Sequence, residues 1–257
     1  GEPGVIGEVR QGPVATPADA AAYRLPHELL DGADFSQVDD FCRTTDRFVL
    51  AGTLVRPFER MQFLRGTEAF FMDLVDREPA VLDLMARLHE FSLRELRLWC
   101  DTAVDAICFM DDWGSQQSLL IPPDLWREFF RPQYEAYCRM IRAAGKKVFF
   151  HSDGRIDAIY PDLVEIGVDA LNSQLFCMDL EDLSARYGDR LTFWGEIDRQ
   201  WVLPFGDKAA VRAAVRRVAA ATVGRRGPTG VIAQCEWGMD VEPDSIRTVF
   251  EAWDQVL

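Results

Sequence analysis

Residues Val148–Gly154 read VFFHSDG, and this stretch decides how the fold of the chain is interpreted. A short apolar run ends abruptly in a histidine, a carboxylate and a glycine, and His151 is one of only three histidines in the sequence. The pattern is typical of a buried strand that ends at a loop. In a barrel of parallel strands, the residues at that edge carry the chemistry. The stretch therefore predicts a strand whose end presents His151 and Asp153.

Apolar runs and helical patterns alternate from Phe48 to the C-terminus. Between residues 79 and 99, for example, apolar residues keep the spacing of one helix face. The predicted strands cover residues 48–52, 106–110, 147–150, 169–173, 191–194 and 230–234. The predicted helices cover residues 34–41, 79–99, 124–145, 156–166, 179–187 and 208–223, and a last helix begins at Pro243. Strands that alternate with helices predict a parallel sheet.

Polar residues at the strand ends favour a closed barrel over an open sheet. No glycine-rich phosphate loop follows any strand, whereas acidic, amide, histidine or cysteine side chains follow five of the six. Convergence of many strand ends at one mouth is typical of a TIM (β/α)8 barrel. Because six strands are predicted and closure takes eight, we expect a barrel that lacks its first strands in this chain. Alternatively, Val5–Val9 supplies a strand or a neighbouring chain fills the gap.

The chain is expected to have two parts. Residues 1–45 are rich in glycine and proline with little periodicity, which predicts a loop-rich N-terminal segment packed on the barrel. Residues 46–257 carry the strand and helix alternation and form the predicted barrel domain.

Composition excludes several classes of protein. The net charge of −14 argues against binding to nucleic acid and to anionic membranes. No apolar run reaches the roughly 18 residues of a membrane span, and no signal peptide is visible. The six cysteines are scattered without a CxxC pair, which indicates reduced thiols and predicts a cytoplasmic protein. We expect a small-molecule substrate.

One interpretation of the strand ends is a zinc site. His151 offers an imidazole and Cys235 a thiolate, Asp153 lies two residues from His151, and Glu196 or Glu236 offers a fourth ligand. A zinc ion there would hold a substrate thiol as the thiolate, ready to attack a methyl group. The alternative is that His151 only forms a hydrogen bond and that Cys235 is buried and inert.

A second interpretation of the strand ends is acid/base catalysis by carboxylates. Crowded carboxylates raise the pKa of one another, so one of them would be protonated near neutral pH. The candidates are Asp111, Asp112, Asp153, Glu196 and Asp198. The alternative is that several of them cap helices or pair with Arg56, Arg60, Arg155 or Arg199. Three further residues are predicted to be helix caps: Asp124, Asp179 and Asp207.

Aromatic and amide side chains near the strand ends are candidates for substrate binding. Trp113 and Trp237 would wall a pocket for an apolar or planar ligand, or else pack under loops. Asn172 and Gln174 follow the fourth strand, and Gln116 follows the second. These residues, together with Asp112, are predicted to bind substrate.

Several segments together resemble the uroporphyrinogen decarboxylase superfamily, which also contains corrinoid-linked and coenzyme M methyltransferases. The matching segments are Pro57-Phe58, Asp111–Gly114, Phe150–Gly154, Ile159–Asn172 and Leu191–Asp198. The resemblance covers about four fifths of the chain and implies a (β/α)8 barrel with its site at the C-terminal strand ends.

The methyltransferase branch of that superfamily is the more similar one. Its zinc ligands are a His-x-Cys-Gly motif and a later cysteine; His151 and Cys235 match, and Asp153 replaces the middle cysteine. The resemblance implies zinc on His151, Asp153 and Cys235, with Glu196 as a fourth ligand or acid/base group. It also implies methyl transfer from a separate corrinoid protein.

The decarboxylase branch matches less well. Its porphyrinogen-binding segments in the first two barrel strands are not found, and residues 234–238 read QCEWG where that branch has a histidine motif. The alternative function is therefore a metal-free decarboxylase that works through Asp111, Asp153 and Glu196. A third alternative is a non-catalytic barrel that binds a partner or forms a homodimer, which would complete the strands.

Overall fold

The computed structural model describes residues 9, 11–223 and 230–256 of the chain. The strand predicted at Val5–Val9 lies outside the described residues except for Val9. No helix among the described residues is both long and apolar enough to cross a membrane.

Helices and strands alternate as the sequence predicts. The six strands are β1 (Leu50–Gly52), β2 (Ala106–Met110), β3 (Lys147–Ser152), β4 (Ala170–Ser173), β5 (Thr192–Gly195) and β6 (Val231–Ala233). The helices before β2 are α1 (Pro17–Ala22), α2 (Glu28–Asp31), α3 (Ser36–Thr44), α4 (Pro57–Arg65), α5 (Thr67–Asp76) and α6 (Pro79–Cys100). The helices after β2 are α7 (Pro123–Phe129), α8 (Arg131–Ala143), α9 (Tyr160–Ile166), α10 (Leu180–Tyr187), α11 (Val202–Phe205), α12 (Lys208–Thr222) and α13 (Pro243–Trp253).

The order of the strands in the sheet is the order of the strands in the chain, from β1 to β6. The pairs β1–β2, β4–β5 and β5–β6 are parallel, with Leu50 opposite Ala106 and Asn172 opposite Trp194. The fold is α/β, because parallel strands are joined by helices. It is TIM-barrel-like, but the described residues contain six strands where a full barrel has eight. The predicted fold class is therefore confirmed.

The chain divides into two compact units. The first contains residues 1–112 and 121–149, and the second contains residues 113–120 and 150–257. Strand β3 begins in the first unit and ends in the second. The predicted division between residues 45 and 46 is a different one and stays a prediction.

In the first unit, an aspartate after β2 holds the start of α4. Asp111 is fully buried, and its carboxylate accepts hydrogen bonds from the backbone N–H groups of Phe58 (3.0 Å) and Glu59 (2.8 Å) and from the Tyr134 hydroxyl. The ring of Phe58 then packs edge-on against Phe130, with the ring centroids 5.4 Å apart. These contacts tie the end of β2 to helices α4 and α8.

In the second unit, strands β3 and β4 are fixed by hydroxyl groups at their ends. The Ser152 hydroxyl accepts from the N–H of Trp113 at 3.1 Å, and the hydroxyls of Ser173 and Tyr160 share a hydrogen bond of 2.6 Å. All four residues are fully buried. Since buried hydroxyls need partners, these bonds hold the strand ends in place and so position the side chains that follow.

Three local predictions need correction. The helix predicted over 124–145 is two helices, because Pro132 has no N–H for the Glu128 carbonyl and the chain breaks at Phe130. Asp124 is not a cap: Pro123 takes the first helical position, and Asp124 pairs with Arg127 at 3.3 Å. In the N-terminal segment, which was predicted to be loop-rich, helices α1 and α2 were not predicted, whereas α3 corresponds to the helix predicted over 34–41. The caps predicted at Asp179 and Asp207 are confirmed.

Candidate active site

The ends of four strands in the second unit carry the candidate site. Asp153 follows β3, Gln174 follows β4, Glu196 follows β5, and Cys235 and Glu236 follow β6 closely. Asp153, Glu196 and Glu236 offer ligand oxygens that all lie within 4.8 Å of one another. Parallel neighbouring strands place their C-terminal ends at one edge, so residues distant in sequence meet there.

Arg199 lies among these three carboxylates. Its Nη2 atom donates a short hydrogen bond to Asp153 Oδ2, and its Nη1 atom forms a short ion pair with Glu236 Oε1. Its Nε atom lies 3.9 Å from Glu196 Oε2. The Arg199 side chain is only 15% exposed. A rigid guanidinium fork with several donors suits such a cluster better than an ammonium group would.

Glu196 is the most buried carboxyl of the site. Its residue is 2% exposed, and Oε1 accepts no hydrogen bond from the described residues. The pKa of Glu196 is raised to about 8, mainly by burial; Arg199 acts to lower this pKa, and the neighbouring Asp153 and Glu236 act to raise it. A carboxyl in this environment holds a proton near neutral pH.

His151 is held in one tautomer by its neighbour Asn172. The Asn172 amide donates through Nδ2 to the Trp194 carbonyl (2.9 Å) and to Gln234 Oε1 (2.8 Å), so its Oδ1 atom is an acceptor. His151 Nδ1 makes a short contact with that oxygen and therefore donates. In the neutral ring, Nε2 is then the acceptor, and it lies 3.6 Å from Asp153 Oδ1.

Cys235 is buried beside the acidic residues. Burial raises the pKa of the Cys235 thiol to about 12, with Glu196 and Glu236 adding to the rise. The thiol is thus protonated in this environment, and a metal ion would be needed to hold it as a thiolate. Cys235 is not a member of the cluster formed by Asp153, Glu196 and Glu236.

A cavity of about 350 Å³ opens beside this cluster. It is lined by Glu196 and Arg199 and by the predicted substrate-binding residues Gln116 and Gln174, whose side-chain amides hydrogen-bond to each other. Trp201, which is 71% exposed, also lines it. A cavity of this size with a few polar groups is typical of a small-molecule site.

Other predicted site residues are not among the described residues that line the cavity. Trp113 is fully buried, and Trp237 is 48% exposed and is not among the described residues that line the cavity. Asp111 and Asp112 belong to the first unit. Asp111 anchors helix α4. The pKa of its carboxyl is raised to about 8, because the effect of burial outweighs that of the hydrogen bonds, which lower the pKa. Its predicted catalytic role stays a prediction.

Sequence reasoning missed Arg199 and Trp201 as members of the site. Arg199 was considered only as an ion-pair partner for crowded carboxylates. The signal for Arg199 lies in Glu196-Ile197-Asp198-Arg199, where a basic residue follows a strand-end carboxylate at a distance of three residues. That spacing is frequent in surface ion pairs, so only the burial of Arg199 distinguishes it. No sequence pattern singles out Trp201.

Comparisons with known proteins agree with this fold. A search of curated proteins finds no match. A solved structure of a methyltransferase from Methanosarcina mazei is similar, with a TM-score of 0.72 and 14% sequence identity over 95% of this chain and 70% of that chain. At that identity the likeness shows the fold alone. The sequence model of the family described as uroporphyrinogen decarboxylase (URO-D) matches residues 2–256. With a match over nearly its whole length, the chain belongs to the uroporphyrinogen decarboxylase (URO-D) family.

Proposed function

We propose that the chain is a zinc-dependent methyltransferase of this superfamily that acts on a thiol or similar nucleophile, with a corrinoid protein as the separate methyl donor. One observation carries the zinc site: in the neutral ring, His151 Nε2 and Asp153 Oδ1 are two acceptors that face each other at 3.6 Å. A proton on the imidazole or a metal ion between the two groups would make this contact favourable.

The side chains predicted as ligands are of types that bind a divalent metal. His151 offers nitrogen, Asp153 and Glu196 offer oxygen, and Cys235 offers sulfur, which is a set that zinc accepts. The Oε1 atom of Glu196 accepts no hydrogen bond from the described residues although it is buried. Asn172 supplies the partner on the far side of the imidazole that metal-binding histidines ordinarily have.

When bound, zinc would lower the pKa of a substrate thiol and hold it as a thiolate nucleophile. The chain's own residues would supply the rest of the site. Gln116 and Gln174 present amide groups to the cavity and orient a polar substrate. Glu196 holds a proton near neutral pH and releases it when a cation binds beside it.

Metal content tests this proposal most directly. Purified protein dialysed against zinc, then freed of excess, is expected to hold about one zinc per chain by elemental analysis. The substitutions His151→Ala and Cys235→Ala should each reduce that content strongly. Cys100→Ala, which removes a half-buried thiol in the first unit, is the matched control and should leave it unchanged. Wild-type protein with far less than one equivalent would contradict the zinc site.

Methyl transfer itself needs a separate assay. Free methylcobalamin serves as a surrogate for the corrinoid protein, and loss of its absorbance in the presence of a panel of small thiols reports transfer. We expect turnover that depends on zinc and on His151. If the protein binds zinc but transfers no methyl group to any thiol of the panel, the result would support the metal site and contradict the methyltransferase assignment. A homodimer, which the sequence analysis considers as a way to complete the strands, is tested by sedimentation of the purified chain.

A second candidate is a metal-free decarboxylase, which the buried carboxyl of Glu196 favours. A carboxyl whose pKa is raised to about 8 is a general acid at neutral pH. Glu196 would deliver the proton, and Arg199 and Asp153 would fix its surroundings. This candidate predicts activity that resists a chelator and is lost in Glu196→Gln. The methyltransferase predicts loss with the chelator.

A third candidate is a barrel without catalytic activity that binds a partner. In that case no substitution at the strand ends would change any turnover, and binding of the corrinoid protein or another partner would survive them. Activity that responds to His151 or Glu196 excludes it.

A further inference from the structure

A second cavity lies entirely within the first unit and shares no lining residue with the cavity of the candidate active site. Its volume is about 410 Å³, and its lining comes from the N-terminal segment, the end of β1, helix α4 and helix α6. Most of the lining side chains are apolar or aromatic, among them Leu29, Leu54, Phe91 and Trp99. Leu29 and Leu54 are exposed, so their apolar surface is open to a ligand.

Two arginines also line this cavity, and the fold makes little use of their guanidinium groups. Arg56 Nη1 lies 3.7 Å from Glu59 Oε2, and the buried Nε atom of Arg56 has no hydrogen-bond partner among the described residues. No hydrogen bond or ion pair joins the Arg60 guanidinium to a residue that the structure describes. By contrast, Arg65 in the same helix donates to a carboxylate and to a backbone carbonyl. Because buried donors need acceptors, the two arginines indicate a ligand that supplies them.

The charge of the lining favours an anion. Among the described lining residues, Glu95 is the only carboxyl, and its Oε1 atom accepts a hydrogen bond from the Leu54 N–H at 2.9 Å. Burial raises the pKa of Glu95, while the Leu54 N–H and Arg60 act to lower it. Two guanidinium groups therefore face one carboxyl that is already bound to the backbone, and a negatively charged group is the complementary ligand.

We propose that this cavity binds an amphipathic monocarboxylate: Arg56 and Arg60 hold the carboxylate, and the aliphatic or aromatic body packs against Leu29, Leu54 and Phe91. The Arg60 N–H donates to the Arg56 carbonyl at 2.9 Å, so the two residues are one helical turn apart and lie on one side of α4. A guanidinium matches the two oxygens of a carboxylate. This site is independent of the proposed zinc site, because none of the residues proposed there lines the cavity.

The wall that the N-terminal segment contributes is held by arginines of α6. Arg87 donates hydrogen bonds to the backbone carbonyls of Ala20 at 2.7 Å and Tyr23 at 2.6 Å. Arg94 forms a short ion pair with Asp31 at the end of α2. The cavity is therefore formed before a ligand binds, and little ordering of the protein opposes binding.

Three probes of equal chain length test the proposal on the wild-type protein. Binding of octanoate, 1-octanol and octylammonium would be measured by isothermal titration calorimetry at neutral pH. Hydrogen bonds to a charged group favour octanoate, and we expect it to bind about 10-fold or more tightly than either of the other two. Added salt should weaken the binding of octanoate and leave that of 1-octanol nearly unchanged.

Substitutions then locate the site. Arg56→Gln and Arg60→Gln should each weaken octanoate binding by about 10-fold and leave 1-octanol binding unchanged. Leu29→Ser changes an exposed residue and should weaken the binding of both ligands several-fold. Arg43→Gln is the matched control, since it removes an exposed arginine that pairs with Asp40 in the same unit. Circular dichroism and thermal unfolding check that each variant is folded.

Each contrary outcome overturns the proposal in a different way. Equal affinity for octanoate and 1-octanol in wild type would show an apolar cavity that does not recognise the anion. Octanoate binding that survives both arginine substitutions, or that falls equally in Arg43→Gln, would show binding elsewhere or to surface charge. No octanoate binding in the millimolar range would show that the cavity takes no such ligand. None of these results bears on the zinc site, which metal analysis tests separately.

Discussion

Gly154 and Gly114 lie in direct backbone contact within the second unit. A Cβ atom added to Gly154 would lie 2.0 Å from the Gly114 carbonyl oxygen. Gly154 also has a φ of 77°, in the left-handed region. The N–H of Gly114 donates to the carbonyl of Asp153 at 3.1 Å. The contact therefore fixes the backbone of Asp153 just after β3, where the candidate site begins.

Gly154→Ala is expected to destabilise the protein by at least about 3 kcal/mol, since left-handed strain adds to a steric overlap with backbone. Gly145→Ala is the matched control: its φ is 75°, but a Cβ there meets nothing within 4 Å, so its cost should be about 1 kcal/mol. Urea denaturation of both variants measures the difference. Equal losses would show that the contact between the glycines is not tight.

The carboxyl of Glu196 should make stability depend on pH. Its pKa in the folded protein is raised to about 8 from 4.5, so the folded state binds this proton more tightly than the unfolded state does. That contribution is complete below about pH 4.5 and is lost as pH rises toward about 8. Relative to wild type, Glu196→Gln should therefore gain stability as pH rises through this window. Thermal unfolding of metal-free protein at a series of pH values measures it.

Glu181 is a control, because its contribution to stability should depend on pH in the opposite direction. Arg217 lowers the pKa of Glu181 to about 2, so its contribution is present above about pH 4.5 and is lost as pH falls toward 2. Because the pair is largely exposed, salt should weaken the effect. A Glu196→Gln variant that tracks wild type at every pH would mean that the Glu196 carboxyl is ionised in the folded protein.

Asp111 should matter for the stability of the first unit. Asp111→Ala leaves the N–H groups of Phe58 and Glu59 and the Tyr134 hydroxyl without their buried acceptor, which should cost about 3 kcal/mol or more. Tyr134→Phe removes one donor only and should cost about 1 kcal/mol. Chemical denaturation compares the two. A stable Asp111→Ala protein that has lost turnover would instead support the predicted catalytic role.

Buried Cys235 and half-buried Cys108 should resist alkylation in the metal-free folded protein. Burial raises the pKa of Cys235 and of Cys108 to about 12, and only the thiolate reacts. Iodoacetamide at about pH 8 should therefore modify both much more slowly than in the unfolded chain. Peptide mass spectrometry after timed quenching measures each site. Rapid labelling of Cys235 would indicate a thiol that is more exposed or more acidic than the structure gives it.

The fold follows from local sequence to a large extent. Strand β2 covers residues 106–110, as predicted, because a short apolar run between polar residues has the length and the pattern of one buried strand. Helix α6 begins at Pro79 as predicted, since proline is favoured at the first helical position. The break between α7 and α8 is not predicted, because the helical spacing of apolar residues continues across Pro132. That spacing carries no information about the backbone N–H that Pro132 lacks.

For the candidate site, the sequence predicts only which residues lie at the ends of strands. The sequence identifies Asp153, Glu196 and Cys235 as strand-end residues, because each follows an apolar run. Which of their atoms face each other depends on contacts between segments far apart in the chain. The Asn172 amide sets the tautomer of His151 from 21 residues away, and no local pattern encodes that.

By itself, the sequence of this protein determined the alternation of strands and helices, the family, and the edge of the sheet at which reactive side chains gather. Apolar periodicity is a local property, and hydrophobic burial acts on it directly. Only the tertiary structure decided that Arg199 lies among Asp153, Glu196 and Glu236, and that Asp111 anchors a helix instead of lining the cavity. Charge and hydrogen bonding depend on distances of a few ångströms between distant residues, and those distances exist only after the chain has folded.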